Sequence, residues 1–292
     1  MWALRRILYR RPNLLSLTTD VVVHCRAAST STASASQQVR QNVLMELSNQ
    51  STNWNVSTKS VMAAVRNSPE LLQFSPSEWN SAFYCLQAFG IKGPQIIHMF
   101  QKCPSLLTVD PKSMTAIWDA LTLFKLSTHK LVGALLQKPH ILCNPPTDAE
   151  EKALLIITYS GAGNNALRVL TVCNNPFALS LAELTEVTEY VHHTMKVKRT
   201  YEICRSKVFE CPISKLKCRH SFLVDCGLYV PQDDDIPTTI PHSNPLLCDI
   251  VNTKDEVFAE KVAKLTYEEY IVYQELFEKR RLNEMYEDID DD

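Results

Sequence analysis

Apolar residues recur along this chain at intervals of three and four, the repeat of amphipathic helices, and few stretches alternate as strands do. Ile96, Ile97 and Phe100 make one stripe, and Leu131, Val132, Leu135 and Leu136 make another. Trp79, Phe83 and Leu86 share a face, as do Met114, Ile117, Leu121 and Phe124. Proline punctuates the stripes at 69, 104, 139, 176 and 212, giving intervals of 35, 35, 37 and 36. Two aliphatic residues follow soon after each of the first three: Leu71-Leu72, Leu106-Leu107 and Ile141-Leu142. The fourth, Pro176-Phe-Ala-Leu179, keeps less of the pattern. A second proline stands seven residues beyond each of the first three, at 76, 111 and 146. These three repeats then close on Phe89-Gly90-Ile91, Phe124-Lys125-Leu126 and Tyr159-Ser160-Gly161.

One unit can be built from these marks. A helix running up to the first proline must stop there, because proline lacks an amide hydrogen and restricts its predecessor. The apolar pair turns into the core, and the second proline suits the first position of the next helix. Ser75 and Asp110 precede that proline as good N-caps; Pro145 is not one, which leaves Thr147 or Asp148 for the third unit. A lone pair of such helices cannot bury its stripes, so the period predicts an all-α solenoid with a continuous core. Five units are expected, at 56–91, 92–126, 127–161, 162–197 and 198–230. A lead-in covers 37–55, and 231–243 reads as a proline- and aspartate-rich linker. A helical cap spans 244–283, where Phe258, Val262, Leu265, Tyr270, Tyr273 and Phe277 have the spacing of a buried face. An acidic tail, expected to be disordered, fills 284–292.

With 45% hydrophobic and 21% charged residues the chain is composed as a folded protein, and its apolar runs are too short to span a membrane. The net charge of −2 hides local polarity. Residues 1–36, rich in Arg, Ser, Thr and Ala, have the composition of a mitochondrial transit peptide, and imply the matrix as destination. The ten cysteines then occupy a reducing space and read as small core residues, since none is spaced Cys-x-x-Cys. His192 and His193, adjacent on a helix, cannot grip one ion together. No metal site is expected. Nor does the sequence hold a phosphate-binding glycine loop, a nucleophile elbow or a dinucleotide fingerprint, so neither an enzyme nor a cofactor is expected.

Helix, proline with two aliphatics, helix and a closing glycine–aliphatic phrase, over residues 56–283, resembles the mitochondrial transcription termination factor (mTERF) family. The resemblance implies a curved solenoid of triplets, two helices with a short 3₁₀ turn, whose concave side binds nucleic acid. Pro245–Ile250, Asp255–Phe258 and Glu268–Tyr270, with the acidic tail, resemble the fourth branch of that family. That implies large-subunit ribosomal RNA and an RNA cytosine methyltransferase of the NOL1/NOP2/Sun type as partners. The other reading is a mitochondrial DNA-binding regulator of transcription.

Two surfaces are candidates. Lys196, Lys198, Arg199, Arg205, Lys207, Lys215, Lys217 and Arg219 lie within 24 residues that hold two acids, Glu202 and Glu210. Such a cluster can neutralise phosphates and release their counterions. Tyr201 beside it is expected in the core, so recognition through backbone and shape is expected over base stacking. Arg66, Lys102 and Lys138, close before the first three prolines, suit either phosphate contact or compensation of helix C-termini. In the cap, Tyr267, Tyr273 and Phe277 are expected to be exposed anchors for a protein partner, with Phe258, Val262 and Tyr270 as core. A monomer without membrane contact is expected before a partner binds.

Overall fold

The computed structural model describes residues 38, 40–230 and 244–290; the expected transit peptide and linker lie outside the described residues. Helices and turns, without strand, make up what is described. Helix α1 covers residues 40–53 of the lead-in and buries Val43 and Leu47. Three regular triplets follow. The first is α2 (Thr58–Asn67), a 3₁₀ helix (Pro69–Gln73) and α3 (Pro76–Ala88). The second is α4 (Gly93–Lys102), a 3₁₀ helix (Pro104–Thr108) and α5 (Pro111–Thr122). The third is α6 (Thr128–Gln137), a 3₁₀ helix (Pro139–Cys143) and α7 (Ala149–Ser160). Leading helices α2, α4 and α6 pack side by side, and trailing helices α3, α5 and α7 do the same, which makes two layers.

Proline acts here as its chemistry dictates. Ser68, Cys103 and Lys138, each before a first proline, hold nearly one conformation, with φ of −136°, −145° and −132°. Each still donates its amide to the helix, to the carbonyls of Ala64, Met99 and Ala134, and the proline that follows ends the ladder. Ser75 and Glu78 then form a reciprocal capping box, and Asp110 accepts from the amides of Lys112 and Ser113. In the third unit Asp148 takes the N-cap position with φ of 56°, but its side chain caps no amide.

Units four and five depart from the proline ruler. The fourth comprises α8 (Asn164–Val172) and α9 (Leu181–Glu189), the latter continued by a π turn over Tyr190–Thr194. Thirty-five residues beyond Pro139 stands Asn174, and Pro176 lies in a turn rather than a 3₁₀ helix. The fifth comprises α10 (Thr200–Ile203), a 3₁₀ helix (Val208–Glu210) and α11 (Ile213–Asp225). Pro212 is the N-cap of α11, so it belongs with the prolines that open trailing helices, not with those that close leading ones.

A backbone mark carries the period further along the chain. Leaving aside Asp148 and Gly163, which precede helices, the described residues with positive φ are Asn55, Gly90, Lys125, Gly161, Lys196, Gly227 and Lys264, at intervals of 35, 35, 36, 35, 31 and 37. Each follows a helix with a positive φ that turns the chain, although Gly161, with ψ of 157°, lies outside the left-handed helical region. Val56, Ile91 and Leu228 donate back to the carbonyls of Ser51, Leu86 and Leu223 in the Schellman manner. The series includes Asn55 after α1 and Lys264 in the cap, so both ends of the stack share the periodicity.

The cap comprises α12 (Leu247–Asn252), α13 (Asp255–Val257) with a π turn over Phe258–Val262, and α14 (Tyr267–Asp290). Helix α14 runs through the acidic stretch to Asp290, so that stretch is helical and not the disordered tail expected. Side-chain bonds between elements join neighbours about one unit apart. Lys130 reaches Asn164, His140 reaches the Asn174 carbonyl, and Tyr229 donates to the Met195 carbonyl. Asn144 and Asn175 exchange amide bonds in both directions. Contacts chiefly between neighbouring units are what a solenoid requires, although Phe124 of the second unit stacks on Phe177 of the fourth and its carbonyl accepts from the Gly163 amide.

Candidate nucleic-acid interface

Helix geometry divides the basic cluster. On α11, Lys215 and Arg219 are four residues apart and lie on one side, whereas Lys217, about 200° from Lys215, lies on the other. Arg219 is 1% exposed. Its guanidinium donates to the carbonyls of Ile250 and Thr253 and to Asp255 Oδ1, and stands 4.6 Å from the Phe258 ring centre. It fastens α12 and α13 to α11 and has no surface to offer a phosphate, which corrects its place in the candidate site. Lys215 shares the same carboxylate, with Nζ 3.5 Å from Asp255 Oδ1. Burial works to raise the Asp255 carboxyl, but the bonds from Arg219 and Lys215 outweigh it and hold the group below its ordinary value. Lys217 pairs with Glu186 at 2.7 Å and lies over the Tyr190 ring.

The rest of the cluster, on the chain around α10, is at the surface. Lys198, Arg199, Arg205 and Lys207 are exposed, while Lys196 is half-buried at a helix end. Arg199 lies 3.8 Å from Glu202 with its own side chain 81% exposed. Asn252 of the cap holds this segment, accepting from the Lys207 amide and donating to the Arg205 carbonyl. Tyr201, expected in the core, is 50% exposed. Arg205 lies 4.1 Å over its ring centre and Arg168, from α8, lies 5.9 Å away. Among the described residues neither arginine has a carboxylate within ion-pair distance. Arg168 was not legible as a site residue because it is isolated in the sequence. One repeat length separates it from Tyr201, and that spacing is the signal that could have found it.

Lys102 and Lys138 turn toward protein. Lys102 Nζ donates to the Leu136 carbonyl at 3.0 Å. Lys138 Nζ reaches three carbonyls at the end of α8, those of Leu170, Thr171 and Cys173, at 2.9, 2.5 and 2.6 Å. Each lysine thus compensates the C-terminus of the next unit's leading helix. Arg66, in the last turn of α2, is exposed.

The cap aromatics do not divide as expected. At about 100° per residue, Tyr267, Tyr273 and Phe277 all fall within about 60° of Tyr270 around α14. They therefore share its buried face. Tyr270 is fully buried, and the other three are half-buried against the core. Phe258 is buried as expected, whereas Val262 is half-buried. Tyr273 donates to Asp225 at 2.6 Å and its ring lies 4.8 Å from that of Phe222. Among the residues of α14 whose side chains are described, the exposed large apolar ones are Val272, Leu276 and Leu282, on the other side. Tyr273 and Phe277 do keep one edge open, on a groove of about 370 Å³ shared with Lys217, Asp225, Arg280 and Arg281.

Comparison with known proteins agrees with this architecture. The chain is 23% identical over 229 residues to the mouse protein named "Transcription termination factor 4, mitochondrial", an alignment covering 66% of this chain. It spans about 65% of the length of that relative. The family model described as mTERF matches residues 3–259, nearly the whole chain. A match of that extent, on a chain whose regular units are two helices joined by a proline-opened 3₁₀ turn, shows that the chain belongs to the mTERF family.

Proposed function

We infer that this protein is a mitochondrial nucleic-acid-binding adaptor that binds ribosomal RNA in the matrix and carries an RNA cytosine methyltransferase to the assembling large subunit. The observation that carries the reading is the exposed cation surface where units four and five meet. Lys198, Arg199, Arg205 and Lys207 are exposed on a segment bonded to the cap, and Arg205 and Arg168 lie over the ring of the exposed Tyr201. Cations at such density bind phosphates through counterion release, independent of sequence. The methyltransferase contact is assigned to α14, where Val272 and Leu276 are exposed and Tyr273 and Phe277 border a groove. Exposed aliphatic side chains on one side of the helix, and aromatic edges on the other, are of the kinds that serve in protein interfaces.

The printed name of the mouse relative favours a second reading, a mitochondrial DNA-binding regulator of transcription. Crosslinking the protein in intact mitochondria, sequencing the nucleic acid held and identifying co-purified proteins separates the two. The adaptor reading expects ribosomal RNA together with a methyltransferase that is lost on Leu276→Glu. Mitochondrial DNA with transcription proteins would replace it by the second reading.

A further inference from the structure

We propose that Cys103 and Cys143 form a peroxide-sensitive thiol pair whose oxidation closes a disulfide between the second and third repeats. Cys103 is the residue before Pro104, at the end of α4. Cys143 ends the 3₁₀ helix of the next unit. The two 3₁₀ helices pack on each other and bring the sulfurs to 3.7 Å. Ser105 stands between them, with its hydroxyl 3.1 Å from Cys103 Sγ and 3.6 Å from Cys143 Sγ. A disulfide needs about 2.05 Å between sulfurs, so closure asks for a local approach of about 1.6 Å rather than a rearrangement of the stack.

The same two repeat positions, one unit earlier, hold Ser68 and Thr108, which cannot do this chemistry. The environment also distinguishes Cys103 from the other thiols. The contact with the Cys143 thiol, helped by the Ser105 hydroxyl, the Leu106 amide and the nearby His140, outweighs burial, so Cys103 is drawn down to about 6. Cys143 is correspondingly pushed up and stays protonated. Burial drives Cys173 to about 12 and Cys218 to about 11, and raises Cys85, Cys211, Cys226 and Cys248. The thiolate is the reactive form, so selectivity for Cys103 follows.

The steps balance with hydrogen peroxide as oxidant. The Cys103 thiolate attacks one peroxide oxygen; an S–O bond forms, the O–O bond breaks, and hydroxide leaves to take up a proton. The Cys143 sulfur then attacks the Cys103 sulfenic acid. The S–S bond forms, the S–O bond breaks, and the departing hydroxide takes the Cys143 proton as water. Two thiols lose two electrons, and one peroxide becomes two waters. The product staples two units that are otherwise joined by noncovalent contacts. It raises the melting temperature of this part of the stack, and reductant reverses it.

The test treats the full reduced chain with a small excess of hydrogen peroxide and maps crosslinks by non-reducing peptide mass spectrometry. The expected result is a dominant intramolecular Cys103–Cys143 peptide, a raised melting temperature and recovery with dithiothreitol. In Cys143→Ser, Cys103 should be trapped by dimedone as its sulfenic acid. That variant also guards against a Cys103→Ser chain that fails to fold. Exposed Cys226 is the internal reference. Labelling of Cys103 at pH 7 no faster than that of Cys226, or a dominant disulfide at any other pair, overturns the proposal.

Discussion

Replacing Arg219 by methionine separates a structural arginine from a phosphate contact. The change keeps much of the volume beside Phe258 but removes the donors to Ile250, Thr253 and Asp255. Breaking a buried ion pair from one side costs about 3–5 kcal/mol, because the remaining charge is left without its partner. Here Asp255 is 36% exposed and keeps Lys215 at 3.5 Å, so water and the lysine soften that penalty. The two carbonyls losing their donor add to it, which puts the expected loss at about 3 kcal/mol. The loss should be local, since Arg219 and the groups it bonds lie in the fifth unit and the cap, at the far end of the stack from α1. Among the described residues Trp54 and Trp79 are buried and Trp118 half-buried, all in the lead-in and the first two units, so their fluorescence reports the far end of the stack. Hydrogen exchange of α11, α12 and α14 reports the near end. Arg219→Met should speed exchange across the cap by roughly 100-fold, the equivalent of about 3 kcal/mol, while the tryptophan melt moves little. Unchanged cap protection with a shallower salt dependence of nucleic-acid binding would refute the reasoning and return Arg219 to the interface.

Three further outcomes follow from individual contacts. His220, 4% exposed, is held neutral by burial, its value lowered to about 4, between Tyr190 and Tyr229. The unfolded chain takes up the proton first as pH falls from about 6.5 to 4, so stability should decline in that window by of order 3 kcal/mol, and His220→Phe should lose the dependence in a urea-melt series. Lys138→Met deprives three α8 carbonyls of their donor and should cost about 1–2 kcal/mol in thermal melts while leaving nucleic-acid affinity unchanged. A Cβ at Gly93 would lie 2.5 Å from Val56 Cγ2 and 2.9 Å from the Trp54 carbonyl oxygen, so Gly93→Ala should cost about 1–3 kcal/mol and lower the tryptophan-detected melt.

What the sequence disclosed was whatever is local to one unit. The proline before each 3₁₀ helix and the caps at Ser75 and Asp110 act within a few residues, so three triplets could be drawn from pattern alone. Pro212 misled because proline marks either the end of one helix or the start of the next. The left-handed ends at Lys125, Lys196 and Lys264 lack the glycine that would announce them. The candidate surfaces failed wherever a partner comes from another unit. Nothing near Arg219 shows that Asp255, 36 residues later, will bury it, just as nothing near Tyr201 shows that Arg168 approaches from α8. In α14 the error was one of geometry. Aromatics within about 60° of each other cannot be divided between core and solvent, and the outward positions belong to Val272 and Leu276.

The central claim is that exposed cations where units four and five meet carry nucleic-acid binding. The salt dependence of affinity for duplex RNA, compared between the parent chain and Arg168→Ala/Arg205→Ala/Lys207→Ala, tests it most directly. Each cation that neutralises a phosphate adds about 0.9 to the slope of log affinity against log salt on a duplex, somewhat less on A-form or single strands. The account predicts a slope shallower by about 2 to 3, weaker binding to every sequence alike, and an unchanged melting curve. A parent slope retained in the triple variant would contradict it and move the interface to another face of the solenoid.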